Sequence, residues 1–218
     1  MKADSRSRVI LAITAVSVVA AFVVPAAPQP TSYHDFADHR SFFGLANALD
    51  VASNVGFLLV GIAGLWVALR PRTRFEQRSE RWPYAVFFAG MLLTALGSGY
   101  YHLAPDNERL FWDRLPMTIA FMSLLAAQAG DRIHPRAGRI LLLIAWMHPS
   151  RYTRGNDLYA VFAAYVLAKL LEALDPQILA LGHVVSGHTL KHLAAAGGGL
   201  LVARMLHLRT LQPAGALA

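Results

Sequence analysis

Two histidines four positions apart, in Gly187-His188-Thr189-Leu190-Lys191-His192, are the residues of this chain whose spacing points most directly to chemistry. On a helix that spacing stacks both imidazoles on one face, one turn apart, as two nitrogen ligands of a single metal ion require. A pair of this kind alone fits two interfacial histidines equally well. A second element, Gly97-Ser98-Gly99-Tyr100-Tyr101-His102, again places a serine and a histidine on one helical face. Taken singly, Ser98 reads as a helix serine bonded back to a carbonyl, and His102 as an interfacial histidine. Eleven residues on, Asp113 precedes Arg114-Leu115-Pro116, so it also reads as the N-cap of a helix with Pro116 in its first turn. The chain has no cysteine, so a metal must be held by His, Asp or Glu. Three histidines with one position left to water is the open coordination of a catalytic zinc, whereas a closed structural site takes a fourth protein ligand.

The elements that must position these groups are membrane helices. Of 218 residues, 56% are hydrophobic and 15% charged, a balance that fits a polytopic bundle better than a soluble domain. A hydrocarbon core of about 30 Å needs roughly 20 apolar residues per helix. The runs at 9–27, 46–69, 83–103, 114–130, 157–175 and 184–207 meet or approach that length. The fold class expected is therefore all-α, a transmembrane bundle of about six spans plus a short non-spanning hydrophobic segment at 139–148, which ends at Pro149. Residues 1–32 read as an N-terminal membrane anchor or signal-like helix and 33–210 as one transmembrane domain.

The net charge of +7 does not indicate a nucleic-acid partner, because the basic residues sit in short loops between apolar runs and not on one face. They read as topology signals. Arg70, Arg72, Arg74, Arg78 and Arg81, then Arg132, Arg136, Arg139, Arg151 and Arg154, and finally Arg204 and Arg209 mark cytoplasmic segments. Segments 28–43 and 104–113 hold few arginines beside Asp35, Asp38, Asp106, Glu108 and Asp113, and face outward. Ser98, His102, Asp113, His188 and His192 then fall at helix ends on the same, outer side. They can share a metal only if an even number of crossings separates His102 from His192, so 139–148 is expected not to span. With the first helix uncleaved, both termini are cytoplasmic, and the arginine-rich composition is compatible with a bacterial inner membrane.

Leu49-Asp50-Val51-Ala52-Ser53-Asn54, the Ser98 and His102 element, Asp113-Arg114-Leu115-Pro116-Met117 and the His188 and His192 element together resemble the alkaline ceramidases and their bacterial relatives. These belong to the CREST membrane hydrolases, which include the adiponectin receptors. The resemblance covers residues 33 to 205 and implies a zinc ion held by His102, His188 and His192, with Ser98 and Asp113 as catalytic groups beside the bound water. It implies hydrolysis of the amide of a ceramide-like lipid drawn from the bilayer. The family also has an acidic calcium site before its first core helix; the nearest residues here are Asp35, Asp38 and Asn47. Its core has seven helices, and this chain lacks roughly a helix and a half between the fourth span and Arg151.

Two other readings compete: a non-catalytic receptor with a structural zinc, or an inactive shortened homologue, on one side, and a haem carrier on the other. Haem wants one axial histidine from each of two facing helices, which a pair on one face does not supply. Asp50 reads either as a residue that orients a ligand histidine or as a structural aspartate. Lys169 and Glu172, three apart, read as mutually neutralising. His34, His39, His134, His148, His183 and His207 read as solvated loop residues. Neither the oligomeric state nor the acyl chain and head group of a substrate follows from the sequence.

Overall fold

The computed structural model describes residues 28–132 and 152–212, together with two isolated helical positions, Val16 and Val23. The expected helix at 9–27 and the segment at 139–148 lie outside these residues. Among the described residues the fold is all-α. Seven helices follow one another: α1 (Ala48–Ser53), α2 (Val55–Leu69), α3 (Arg81–Leu103), α4 (Asn107–Arg132), α5 (Asp157–Ala173), α6 (Asp175–Gly182) and α7 (Gly187–Leu208). Short 3-10 turns occupy Thr31–His34 and Arg78–Glu80, and the only β pairing among the described residues is two isolated bridges.

Three stretches are long and apolar enough to cross a membrane: Ala48–Leu69, Arg78–Leu103 and Asn107–Gln128. Six spans are more than these residues support. The 157–175 run yields a helix of 17 residues, because the chain breaks at Leu174 and restarts with Pro176 in the first turn of α6. The last helix has 22 residues, but its glycines, histidines, Lys191 and Arg204 dilute its apolar content.

Helices α2, α3, α4 and α7 share one apolar core that includes Phe57, Phe88, Met91, Leu124, Val202 and Leu206. At one end of the bundle, a Cβ on Gly187 would stand 2.2 Å from the Leu171 carbonyl oxygen, so only glycine lets α7 start hard against the end of α5. At the opposite end Arg209 stacks its guanidinium 4.0 Å from the Tyr152 ring centre and 4.9 Å from that of Tyr84. The same Tyr84 hydroxyl accepts from Gln128 Nε2 at 3.3 Å. Tyr152 also holds this end through its hydroxyl, which accepts from the Glu76 N–H at 2.7 Å. The C-terminal part of α4 and the start of the segment leading into α5 therefore lie at the same, arginine-bearing end.

Asp113 does not cap a helix. Asp106 does: its Oδ1 accepts from Arg109 N at 2.7 Å, the bond from cap to third residue, so α4 begins seven residues earlier than expected. Asp113 is left in the second turn, on the helix wall, and Pro116 lies inside the helix.

Candidate metal centre

His102 enters the site from the last turn of α3, and His188 and His192 from the first two turns of α7. Their exposures are 1%, 5% and 4%. The ring centres are 4.8 Å apart for His102 and His188, 5.0 Å for His102 and His192, and 4.8 Å for His188 and His192. One ligand atom from each lies within 4.8 Å of the others. Burying three imidazoles is costly unless their nitrogens are used. The sharpest sign of use is the pair His188 Nε2 and His102 Nε2, 3.2 Å apart. Ligand nitrogens at about 2.0–2.1 Å from a tetrahedral ion are separated by roughly 3.3–3.4 Å, so this pair already has nearly the spacing of one ligand edge. The cluster can hold a metal ion, and three neutral nitrogen donors suit a borderline divalent one.

The start of α7 is built for this purpose. Ser186 caps it, its side chain accepting from Thr189 N at 3.0 Å. The fully buried Asp50 accepts from Thr189 Oγ1 at 2.7 Å and Ser186 Oγ at 3.4 Å. Its carboxylate thus ties α1 to the turn that carries His188, without touching a histidine. The group that does orient a ligand is Ser53, whose hydroxyl donates to the Asp50 carbonyl at 2.9 Å and lies 2.7 Å from His192 Nδ1. With Nδ1–H donated to that hydroxyl, Nε2 of His192 is left as the lone-pair donor. His188 has a charged neighbour instead: Lys191 Nζ stands 3.5 Å from its Nδ1 and 2.8 Å from Glu172 Oε1. His102 Nδ1 is buried with no hydrogen-bond partner among the described residues.

Ser98 is buried one turn before His102, and its hydroxyl faces the half-buried Asp113 on α4. Ser98 and His102 share α3 one turn apart, so the Ser98 and Asp113 pair adjoins the α3 side of the histidine cluster.

The calcium expectation does not find a gathered cage. Asp38 is sequestered by Arg40, with Nε to Oδ1 at 2.8 Å and Nη2 to Oδ2 at 2.6 Å. That guanidinium holds the Asp38 carboxyl below the ordinary aspartate range, the positive charge being already supplied. Asp35 pairs with His39 at 3.1 Å on the surface. Asn47 donates its Nδ2 to the His102 carbonyl oxygen at 2.8 Å, bracing the backbone of a metal ligand.

Glu172 binds Lys169 as its spacing implied, and Lys191 as well. Of the loop histidines, His34 is not simply solvated: its Nδ1 meets Tyr101 OH at 2.8 Å and its Nε2 is buried. His207 meets Arg70, His183 ends α6 in the left-handed conformation, and His134 and His148 lie outside the described residues.

Sequence reasoning missed Phe36, Arg40, Ser53, Asp175 and Lys191. Lys191 carried a signal, since it sits between two candidate ligands on one helix. Phe36 and Asp175 carried none, because their partners are distant in the chain, and Arg40 showed only its local pairing with Asp38 and not its bonds to His183 and Val184. No known protein family, no curated protein and no solved structure matches the chain.

Proposed function

We propose that this chain is a zinc-dependent intramembrane amidase that hydrolyses the N-acyl amide of a ceramide-like lipid to a fatty acid and a long-chain amine. The observation that carries this reading is the buried cluster of His102, His188 and His192 with Ser98 and Asp113 on its flank. A zinc ion held by the three imidazoles would supply a Lewis acid and a water acidified toward neutrality. In this reading Asp113 accepts the proton of the attacking water on its carboxylate and returns it to the departing nitrogen. The Ser98 hydroxyl, in the same reading, donates to the carbonyl oxygen as negative charge builds there. Between α2, α3, α4, α5 and α7 lies an apolar cavity of about 120 Å³ lined by Phe57, Met91, Met117, Phe121 and Tyr165. Phe57 is also the ring neighbour of His192, at 5.9 Å, so this cavity offers a lipid chain a dry path toward the histidines.

The finer topology belongs to the same proposal: six spans, both termini cytoplasmic, a bacterial inner membrane and the site near the outer face. Its support is that the two ends of the described structure differ in charge, the arginines gathering opposite the histidines. The test is zinc analysis of the purified protein together with fatty-acid release from ceramides and other N-acyl lipids. Stoichiometric zinc with turnover supports the amidase. Stoichiometric zinc without turnover on any N-acyl lipid would leave a receptor of the adiponectin type.

A further inference from the structure

Three groups from the segment before α1 converge on the outside of the histidine cluster. Phe36, 8% exposed, lays its ring 4.2 Å from that of His188 and 4.8 Å from that of His102. The next residue, Ala37, donates its N–H to Asp175 Oδ2 at 3.0 Å, while Asp175 Oδ1 accepts from the His188 N–H at 2.7 Å. One carboxylate thus joins the segment that carries Phe36 to the residue Phe36 covers. Arg40 completes the arrangement. Besides its two bonds to the buried Asp38, it donates Nη1 to the His183 carbonyl at 2.7 Å and Nη2 to the Val184 carbonyl at 2.6 Å. Those carbonyls belong to the turn between α6 and α7, just ahead of both ligands.

Each contact has a distinct physical consequence. The ring of Phe36 removes water from two imidazole faces without offering any hydrogen bond. Asp175 fixes where that ring sits along α7. Arg40, whose planar fork can serve a carboxylate and two carbonyls at once, ties the outer edge of the segment to the turn between α6 and α7. Truncating any one of them leaves the three ligand side chains themselves untouched.

We propose that residues 36–40 form a latch over the metal cluster, fastened by Arg40 and Asp175, and that this latch sets how fast the bound ion exchanges with water. Phe36, Arg40 and Asp175 are positioning residues, acting through His102 and His188. This rests on the zinc reading given above, but it reads out metal release and not turnover.

The experiment loads the full-length protein in detergent with zinc, adds an excess of a chromogenic chelator, and follows zinc release. Parent chain, Phe36→Ala, Arg40→Ala, Arg40→Lys and Asp175→Asn are compared, with Val202→Ala in the apolar core as a control for general destabilisation. Partners of metal ligands typically change affinity by about 10–100-fold when removed. The expected result is release about tenfold faster or more in Phe36→Ala, Arg40→Ala and Asp175→Asn, with Arg40→Lys in between because a point charge cannot replace the fork. Release at the parental rate in Phe36→Ala and Arg40→Ala overturns the latch. So does equal acceleration in Val202→Ala at the same loss of thermal stability, which would make the effect a general loosening of the fold. A parent chain that takes up no zinc overturns the proposed function and the latch with it, whereas a zinc-loaded parent with unchanged variants overturns the latch alone.

Discussion

A Cβ on Gly97 would stand 2.0 Å from the carbonyl oxygen of Trp112, so α3 and α4 cross where they do only because residue 97 lacks a side chain. The neighbours of these two residues are Ser98 and Asp113, and the crossing is what brings them face to face. Gly97→Ala must push the helices apart. Overpacking of this kind costs about 1–3 kcal/mol, so a lower melting temperature is expected together with loss of the proposed amidase activity. An unchanged melting temperature and full turnover would show that the crossing does not constrain the pair.

His188→Ala and His192→Ala each remove a ligand. Both are expected to lose stoichiometric zinc by elemental analysis and to lose turnover. Full activity in either variant rules out the three-histidine assignment.

Ser53 is expected to matter through His192. Replacing it by Ala frees the ring to take the other tautomer, and zinc affinity should fall by about tenfold with little change in helix content. A competition titration against a chelator of known affinity measures this, and an unaltered affinity would deny Ser53 its orienting part.

The Asp38 and Arg40 pair gives a pH prediction with a definite sign. Hydrogen bonding to Arg40 lowers the folded-state pKa of Asp38 below its ordinary value of 3.8. Its stabilising contribution is then complete above that ordinary value and disappears as pH falls through the folded value. Between pH 5 and 8 the pair contributes a constant amount. Thermal melts of parent and Asp38→Asn should therefore differ by a constant margin across about pH 5–8 and converge in stronger acid. A margin that varies within the neutral range would contradict the pairing. Added calcium is likewise expected to leave the parental melting temperature unchanged, because the guanidinium occupies the carboxylate.

Topology can be tested with single cysteines, since the chain has none of its own. The C-terminal part of α4 and Tyr152 meet at Tyr84 and Arg209, so cysteines at positions 134 and 153 are expected to react from the same side of the membrane. Labelling from opposite sides would mean that the intervening residues cross, and the shared site would need another explanation.

The gathering of the three histidines was legible because their information is local. Helical spacing puts His188 beside His192, and parity brings His102 to the same end. The all-α class was legible from the apolar runs, but the number of spans was not. A run measured by hydropathy ignores the break at Leu174, and the last helix owes its packing to glycines that hydropathy scores poorly. Asp113 faces Ser98 as a site candidate would, but it is not a cap. Asp106 could have been recognised from its side chain and the start of the polar turn at Asn107, yet Pro116 is the louder helix-start signal. Phe36 and Asp175 were beyond reach for a different reason. An aromatic residue before a first helix, or an aspartate ahead of a proline, acquires its meaning only from a partner across the chain, such as Ala37 for Asp175, 138 positions away.

The division of the ligand set between α3 and α7 also has a consequence for biogenesis. His102, Ser98 and Asp113 leave the ribosome long before His188 and His192, which belong to the last described helix. Until α7 enters the bundle and packs on α2, the chain presents a single ligand histidine near a serine and an aspartate, too few groups to retain an ion. A metal ion held by all three histidines would therefore load only after the final helix inserts, and a chain without α7 would leave an open socket between α2 and α5. Binding of an ion by the cluster would then report completed assembly of the bundle.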